Sequence, residues 1–147
     1  MVERFEKFTF AISEISRNWH KIAAEEMEKY GLKGPYAVYF TTLYRFSDGI
    51  TAANLGELCG RDKSDVSRAV TLLESKGLIL RESNQNRYRA LLKLTDEGKS
   101  IAEKINRVAM EVTEYVGRDL SQKHREIFYE CLDSIIANMQ SFAQKEQ

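Results

Sequence analysis

The chain has 147 residues, 43% of them hydrophobic and 30% charged, and its 22 basic and 22 acidic side chains leave a net charge of zero. That length holds one hydrophobic core with elongated helices beside it, and that composition excludes a largely disordered chain. The charge balance excludes a general polyanion coat of the histone type; no apolar run reaches the length of a membrane span, and with no signal-peptide pattern the expected compartment is the cytoplasm.

In chain order, Phe5, Phe8, Ile12, Ile15, Trp19 and Ile22 recur at spacings of three and four, the seam of helices that pair over several turns. This predicts a long first helix ending near Tyr30 and Gly31. Pro35, the only proline, opens the next helical pattern, where its missing N–H costs nothing. Tyr36, Phe40, Leu43 and Tyr44 follow at helical spacing, and Ser47, Asp48 and Gly49 end that helix.

The segment 51–95 carries the most information. A short helix is predicted over 52–59, with the Thr51 hydroxyl as N-cap, Leu55 and Leu58 on one face and Gly60 just past its end. After a turn at Arg61 and Asp62 a second helix starts at Lys63. Asp62 is its cap, and Asp65, three residues on, is placed to reach back in an arrangement close to a capping box. Val66, Ala69, Val70 and Leu73 form its buried stripe, and Gly77 stops it. At about 100° per residue, the opposite face carries Ser64, Arg68, Thr71 and Ser75, flanked by Lys63 and Ser67. Small hydroxyls permit close approach of a backbone, and one guanidinium can pair bidentately with guanine; the alternative is a solvated face that lacks glutamate.

Two strands are predicted next, over 78–83 and 88–94, joined by the turn Asn84, Gln85 and Asn86. Two helices around a tight turn followed by an arginine-bearing hairpin describe a winged helix-turn-helix, which points to double-stranded DNA. Arg87 and Arg89 sit at or beside the wing tip, where a guanidinium can enter a minor groove or hold phosphates; a solvated hairpin is the alternative. Residues 61–93 hold eight basic and four acidic side chains, so a neutral chain concentrates positive charge here.

Beyond the wing, Thr95 is placed to cap a helix that starts at Asp96 and Glu97 and reaches Gly117, with Ile101, Ile105, Val108 and Val112 on its buried side. Ser121 caps a last helix with a wide apolar stripe that includes Leu120, Ile127, Phe128, Cys131, Leu132, Ile135, Ile136, Met139 and Phe142. A small winged core cannot cover both terminal helices, so a second copy of the chain is the expected partner. The other reading packs the termini on each other in a monomer. Cys59 and Cys131 fall among apolar neighbours and are expected as reduced, buried core residues. His20 and His124 have no metal-ligand spacing, and no metal or cofactor is expected. No phosphate-cradling glycine loop or nucleophile elbow suggests an enzyme.

Taken in order, Asp62-Lys63-Ser64 with Val66 and Arg68, Leu73-Glu74-Ser75-Lys76-Gly77-Leu78, Leu94-Thr95-Asp96-Glu97-Gly98, Gly31-Leu32 and Leu120-Ser121 make the chain resemble the MarR family of bacterial and archaeal transcriptional regulators. The resemblance implies a homodimer, a winged helix-turn-helix in each subunit, and repression relieved by small aromatic acids, phenols or other lipophilic compounds. It places Ser64, Ser67 and Arg68 on the recognition helix and Arg87 on the wing tip. The family's wing usually reads Asp-Arg-Arg or Asp-Lys-Arg, whereas here it reads Asn86-Arg87-Tyr88, with Arg89 one position later on the other side of the strand. The effector pocket of the family lies between dimer helices and the DNA-binding lobe, which brings Arg17, His20, Tyr36 and Tyr39 forward as candidates; core packing is the other reading for the tyrosines.

The expected fold is therefore mainly α with a small β-hairpin wing: an N-terminal dimerisation helix in 1–34, a DNA-binding lobe in 35–95 and C-terminal dimerisation helices in 96–147. The expected function is that of a sequence-specific repressor binding a pseudo-palindromic operator as a homodimer and released by a small aromatic ligand. Its DNA contacts are Lys63, Ser64, Ser67, Arg68, Thr71, Arg87 and Arg89. The alternative is a winged-helix module that binds protein and no DNA.

Overall fold

A computed structural model describes residues 1–83 and 89–145. The predicted turn Asn84-Gln85-Asn86, with Arg87 and Tyr88, lies outside the described residues. Helix α1 spans Val2–Glu28, followed by a single 3-10 turn at Gly34–Tyr36 and by α2, Ala37–Arg45. Then come α3, Ala52–Cys59, and α4, Lys63–Ser75; the strands β1, Ile79–Glu82, and β2, Leu91–Leu94; and the long helices α5, Asp96–Val116, and α6, Gln122–Lys145.

Local chemistry sets most of these ends. Gly31, at φ +67°, lets the chain leave α1, and Pro35 opens the 3-10 turn where no N–H is needed. The Thr51 hydroxyl accepts from the Asn54 N–H at 3.3 Å, and an Asp62 carboxylate oxygen accepts from the Asp65 N–H at 2.8 Å. Ser121 does the same for α6, accepting from the His124 N–H at 3.2 Å. The reciprocal half of the expected capping box does not form. The Asp65 carboxylate turns instead toward Arg68.

By its contacts the chain divides into Met1–Val108 and Ala109–Gln147. The first unit holds the core, in which Phe40, Met27, Leu43, Leu55, Leu73, Leu92 and Val70 are fully enclosed. Val66, Ala69, Val70 and Leu73 are buried as their spacing predicts, and so are Ile101 and Ile105, while Val108 is half-buried. Leu55 and Leu58, which their spacing puts on one face, differ in burial: Leu55 is enclosed while Leu58 is 49% exposed, because α3 turns Leu55, Gly56 and Cys59 inward. In the second unit α6 buries no residue, so Cys131, expected in a core, is exposed, while Val112 is half-buried.

The strands are antiparallel, pairing Ile79 with Leu94 and Glu82 with Leu91, and are shorter than the sequence suggested. Leu92 also exchanges two backbone hydrogen bonds with Ile50, its N–H donating at 2.8 Å and its carbonyl accepting at 3.1 Å. The open end of the hairpin is clamped to α5. The Thr95 N–H donates to the Leu78 carbonyl at 3.0 Å, and the Thr95 hydroxyl donates to the Gly77 carbonyl at 2.7 Å while accepting from the Gly98 N–H at 3.1 Å. A Cβ on Gly98 would stand 2.0 Å from the Leu78 carbonyl oxygen, so only glycine lets α5 approach this closely.

At the end of α1, Glu26 is buried and accepts from the Lys29 ammonium at 2.5 Å and the Tyr30 hydroxyl at 2.9 Å. Burial works to raise its pKa, but those two hydrogen bonds and the charges of Lys29 and Lys104 outweigh it and hold the carboxyl below its ordinary range. Burial and the Glu26 carboxylate together push Tyr30 up to about 12.

Two outcomes follow from this packing. Gly98→Ala should cost about 3 kcal/mol, through the forced retreat of α5, read as a lower urea midpoint. A carboxylate whose folded pKa is depressed adds stability above its unfolded value and loses it as pH falls. Glu26→Gln should therefore be less stable than wild type at neutral pH, with the gap closing on acidification below about 4.5; a gap independent of pH would contradict this account.

Candidate nucleic-acid interface

Two close approaches build the helix pair. Gly56 of α3 meets α4 so tightly that a Cβ there would lie 2.9 Å from Val66 Cγ2 and 3.1 Å from the Arg61 carbonyl. Gly60, at φ +62°, then reverses the chain, and the Arg61 N–H donates back to the Gly56 carbonyl at 2.9 Å. With Val66, Ala69, Val70 and Leu73 committed to the core and Leu72 packed against it, the opposite side of α4 has to face outward.

Lys63, Ser64, Ser67, Arg68, Thr71 and Ser75 are all exposed on this helix. The structure thus brings five of the expected DNA contacts onto one surface. Arg68 donates from Nη1 to Ser64 Oγ at 3.1 Å, and its Nη2 pairs with the Asp65 carboxylate. Among the described residues, Arg61 and Lys63 make no ion pair, which leaves two cations at the start of α4 without an internal partner. Arg81 is paired with Glu74 at 3.0 Å and Lys93 with Glu82 at 2.8 Å, so part of the positive charge of the segment is answered within it. Arg89 is exposed beside β2, and Arg87 lies outside the described residues.

The residues singled out for a ligand sit in different settings. Arg17 is exposed and pairs with Glu14 at 2.5 Å, and His20 is exposed. Tyr39 is only 4% exposed, its ring centroid 6.2 Å from that of half-buried Tyr36. Burial pushes the Tyr39 phenol up, against the pull of Arg61. None of the four lines a cavity of about 330 Å³ formed by Leu43, Tyr44, Ser47, Leu94, Lys99 and Glu103. In the sequence, Lys99 and Glu103 look like a solvated i, i+4 pair, and nothing local connects them with Tyr44, whose hydroxyl reaches Glu103 only at 3.5 Å.

Cys59 is half-buried, with Sγ 3.5 Å from Thr42 Oγ1 and 3.8 Å from the Val38 carbonyl. Burial pushes its thiol up, against the Thr42 hydrogen bond and the charges of Arg61 and Arg45. That setting suits a packing residue rather than a ready nucleophile.

Residues 30–90, which include α2 to α4 and β1, match the family model described as MarR family. The fold extends beyond the matched segment. A MarR family transcriptional regulator from Listeria monocytogenes, complexed with a 26mer DNA, aligns with a TM-score of 0.81 at 22% identity, over 89% of this chain and 87% of that one. MepR of S. aureus, in a DNA complex, aligns at 0.81 and 21% identity over 90% of this chain and 96% of its own. A MarR regulator from Methanosarcina mazei Go1 aligns at 0.77 and 23% identity over 93% and 92%. No curated protein matches the chain. In this winged-helix fold α3 and α4 are the helix-turn-helix and the paired strands β1 and β2 belong to the wing. Among the described residues, no helix is long and apolar enough to cross a membrane.

Proposed function

We propose that the protein is a transcriptional repressor that binds a pseudo-palindromic DNA operator as a homodimer and is released by a small aromatic acid or phenol. The observation that carries this reading is the outer face of α4: small hydroxyls and one arginine, held away from the core by four buried neighbours and flanked by Arg61 and Lys63. Such a face can lie in a major groove, with phosphates held by the flanking cations and base edges met by Ser64, Ser67, Arg68 and Thr71. Arg87 and Arg89 serve the wing. Two of the similar folds were solved on DNA, which supports the same use here.

Dimerisation rests on exposed apolar side chains. Phe5, Phe8, Ile12, Ile15 and Trp19 are 41–68% exposed on α1, and Ile127, Phe128, Ile136, Met139 and Phe142 are 44–65% exposed on α6. Faces of this kind on residues 1–34 and 96–147 call for a partner surface, and a two-fold copy supplies one while doubling the DNA site. The effector site is read at the cavity beside α2, where Leu43, Tyr44 and Leu94 offer an apolar lining and Lys99 a cation for a carboxylate. The protein acts by binding rather than catalysis, in the cytoplasm.

Selection from random duplexes should yield a two-fold symmetric site whose affinity falls steeply as salt rises. Arg68→Ala should then lose about 1–3 kcal/mol of discrimination at one position per half-site. Duplex binding that is absent at every salt concentration would instead make this a protein-interaction module. Met139→Glu with Phe142→Glu should sediment as a monomer and lose the two-fold site, whereas wild type sediments as a dimer; a monomeric wild type would remove the homodimer.

A further inference from the structure

We propose that Asp65 is a positioning residue, holding the Arg68 guanidinium at the N-terminal end of α4 and thereby setting how sharply one base pair per half-site is read. The inference rests on the reading of α4 as the recognition helix. Arg68 lies in the second turn, with its side chain 69% exposed. Unheld, such a side chain samples many rotamers and loses that freedom on docking to a base edge. Here both terminal nitrogens are engaged: Nη1 donates to Ser64 Oγ at 3.1 Å, and Nη2 pairs with the Asp65 carboxylate. Those partners stand four and three residues earlier on the same side of the helix, so both bonds draw the guanidinium toward the N-terminus. In helix-turn-helix docking, that end of the second helix meets the bases.

The Asp65 side chain has no part in the helix cap. The Asp62 carboxylate accepts from the Asp65 backbone N–H, which any replacement except proline keeps. A carboxylate on a surface that faces phosphates opposes binding to every sequence alike, so its presence needs a compensating return. A prepaid arginine geometry is such a return, because it favours only the sequence that fits. Ser64 completes the tether without adding charge.

The test compares wild type, Asp65→Asn, Asp65→Glu, Ser64→Ala and Arg68→Ala on the selected operator, on operators altered at the base pair that Arg68→Ala ceases to read, and on random duplex. Asp65→Asn should lower discrimination at that base pair about three- to fivefold, the scale of an exposed ion pair, while binding random duplex more tightly because one negative charge is gone. Asp65→Glu should restore most of the discrimination, and Ser64→Ala should lower it without tightening random binding. In the Arg68→Ala background, Asp65→Asn should remove nothing further at that position. An equal shift for all sequences, or full additivity with Arg68→Ala, would overturn the positioning role and leave Asp65 a mere charge. Wild type that binds no duplex would overturn the recognition-helix reading itself, a result distinct from either.

Discussion

Where Leu78 meets Gly98, a backbone carbonyl occupies the space that any side chain at position 98 would need. The exit of α4, the start of β1, the end of β2 and the first turn of α5 all converge there, and Thr95 ties them together with three hydrogen bonds. A two-stranded hairpin is weak by itself in water. Closed at its root against a helix and a core that includes Leu78, Ile79, Leu92 and Leu94, it becomes part of the same cooperative unit as α4. The outward face of α4 and the direction of the wing are thus set by one junction. A displacement there would disturb both together.

The same economy appears between α3 and α4. Gly56 admits Val66 at contact distance, Gly60 turns the chain, and the four buried residues of α4 leave the polar face no direction but outward. The function proposed for this lobe depends on which side of a thirteen-residue helix is used up by packing. The residues proposed to meet DNA were selected by what the core rejected as much as by their own chemistry.

Features governed by near neighbours were legible in the sequence. The caps at Thr51, Asp62 and Ser121 and the helix exits at Gly31, Gly60 and Gly77 depend on hydroxyls, carboxylates and glycines within a few residues, and the exposed face of α4 follows from a stripe long enough to fix its phase. The split between enclosed Leu55 and exposed Leu58 is not legible, because α3 is only eight residues long, too short for periodicity to choose between neighbouring faces. An acid three residues past a cap and an acid three residues before an arginine are the same pattern, so local spacing does not separate a capping-box Asp65 from one that pairs with Arg68. The Ile50–Leu92 pairing and the cavity beside α2 join residues far apart in sequence, and no local spacing announces either.

The pairing at Ile50 bears on how the lobe behaves in a crowded solution. Leu92 spends both of its main-chain groups on Ile50 while β1 lies along the other side, so β2 is covered on both sides at that residue. The outer edge of β1 is where an unrelated extended chain would add itself. Along it, Arg81 and Glu82 are exposed and carry opposite charges, each already bound to a partner on a neighbouring element. A strand seeking to extend this sheet would have to strip those ion pairs of solvent, a standing protection against edge-to-edge aggregation.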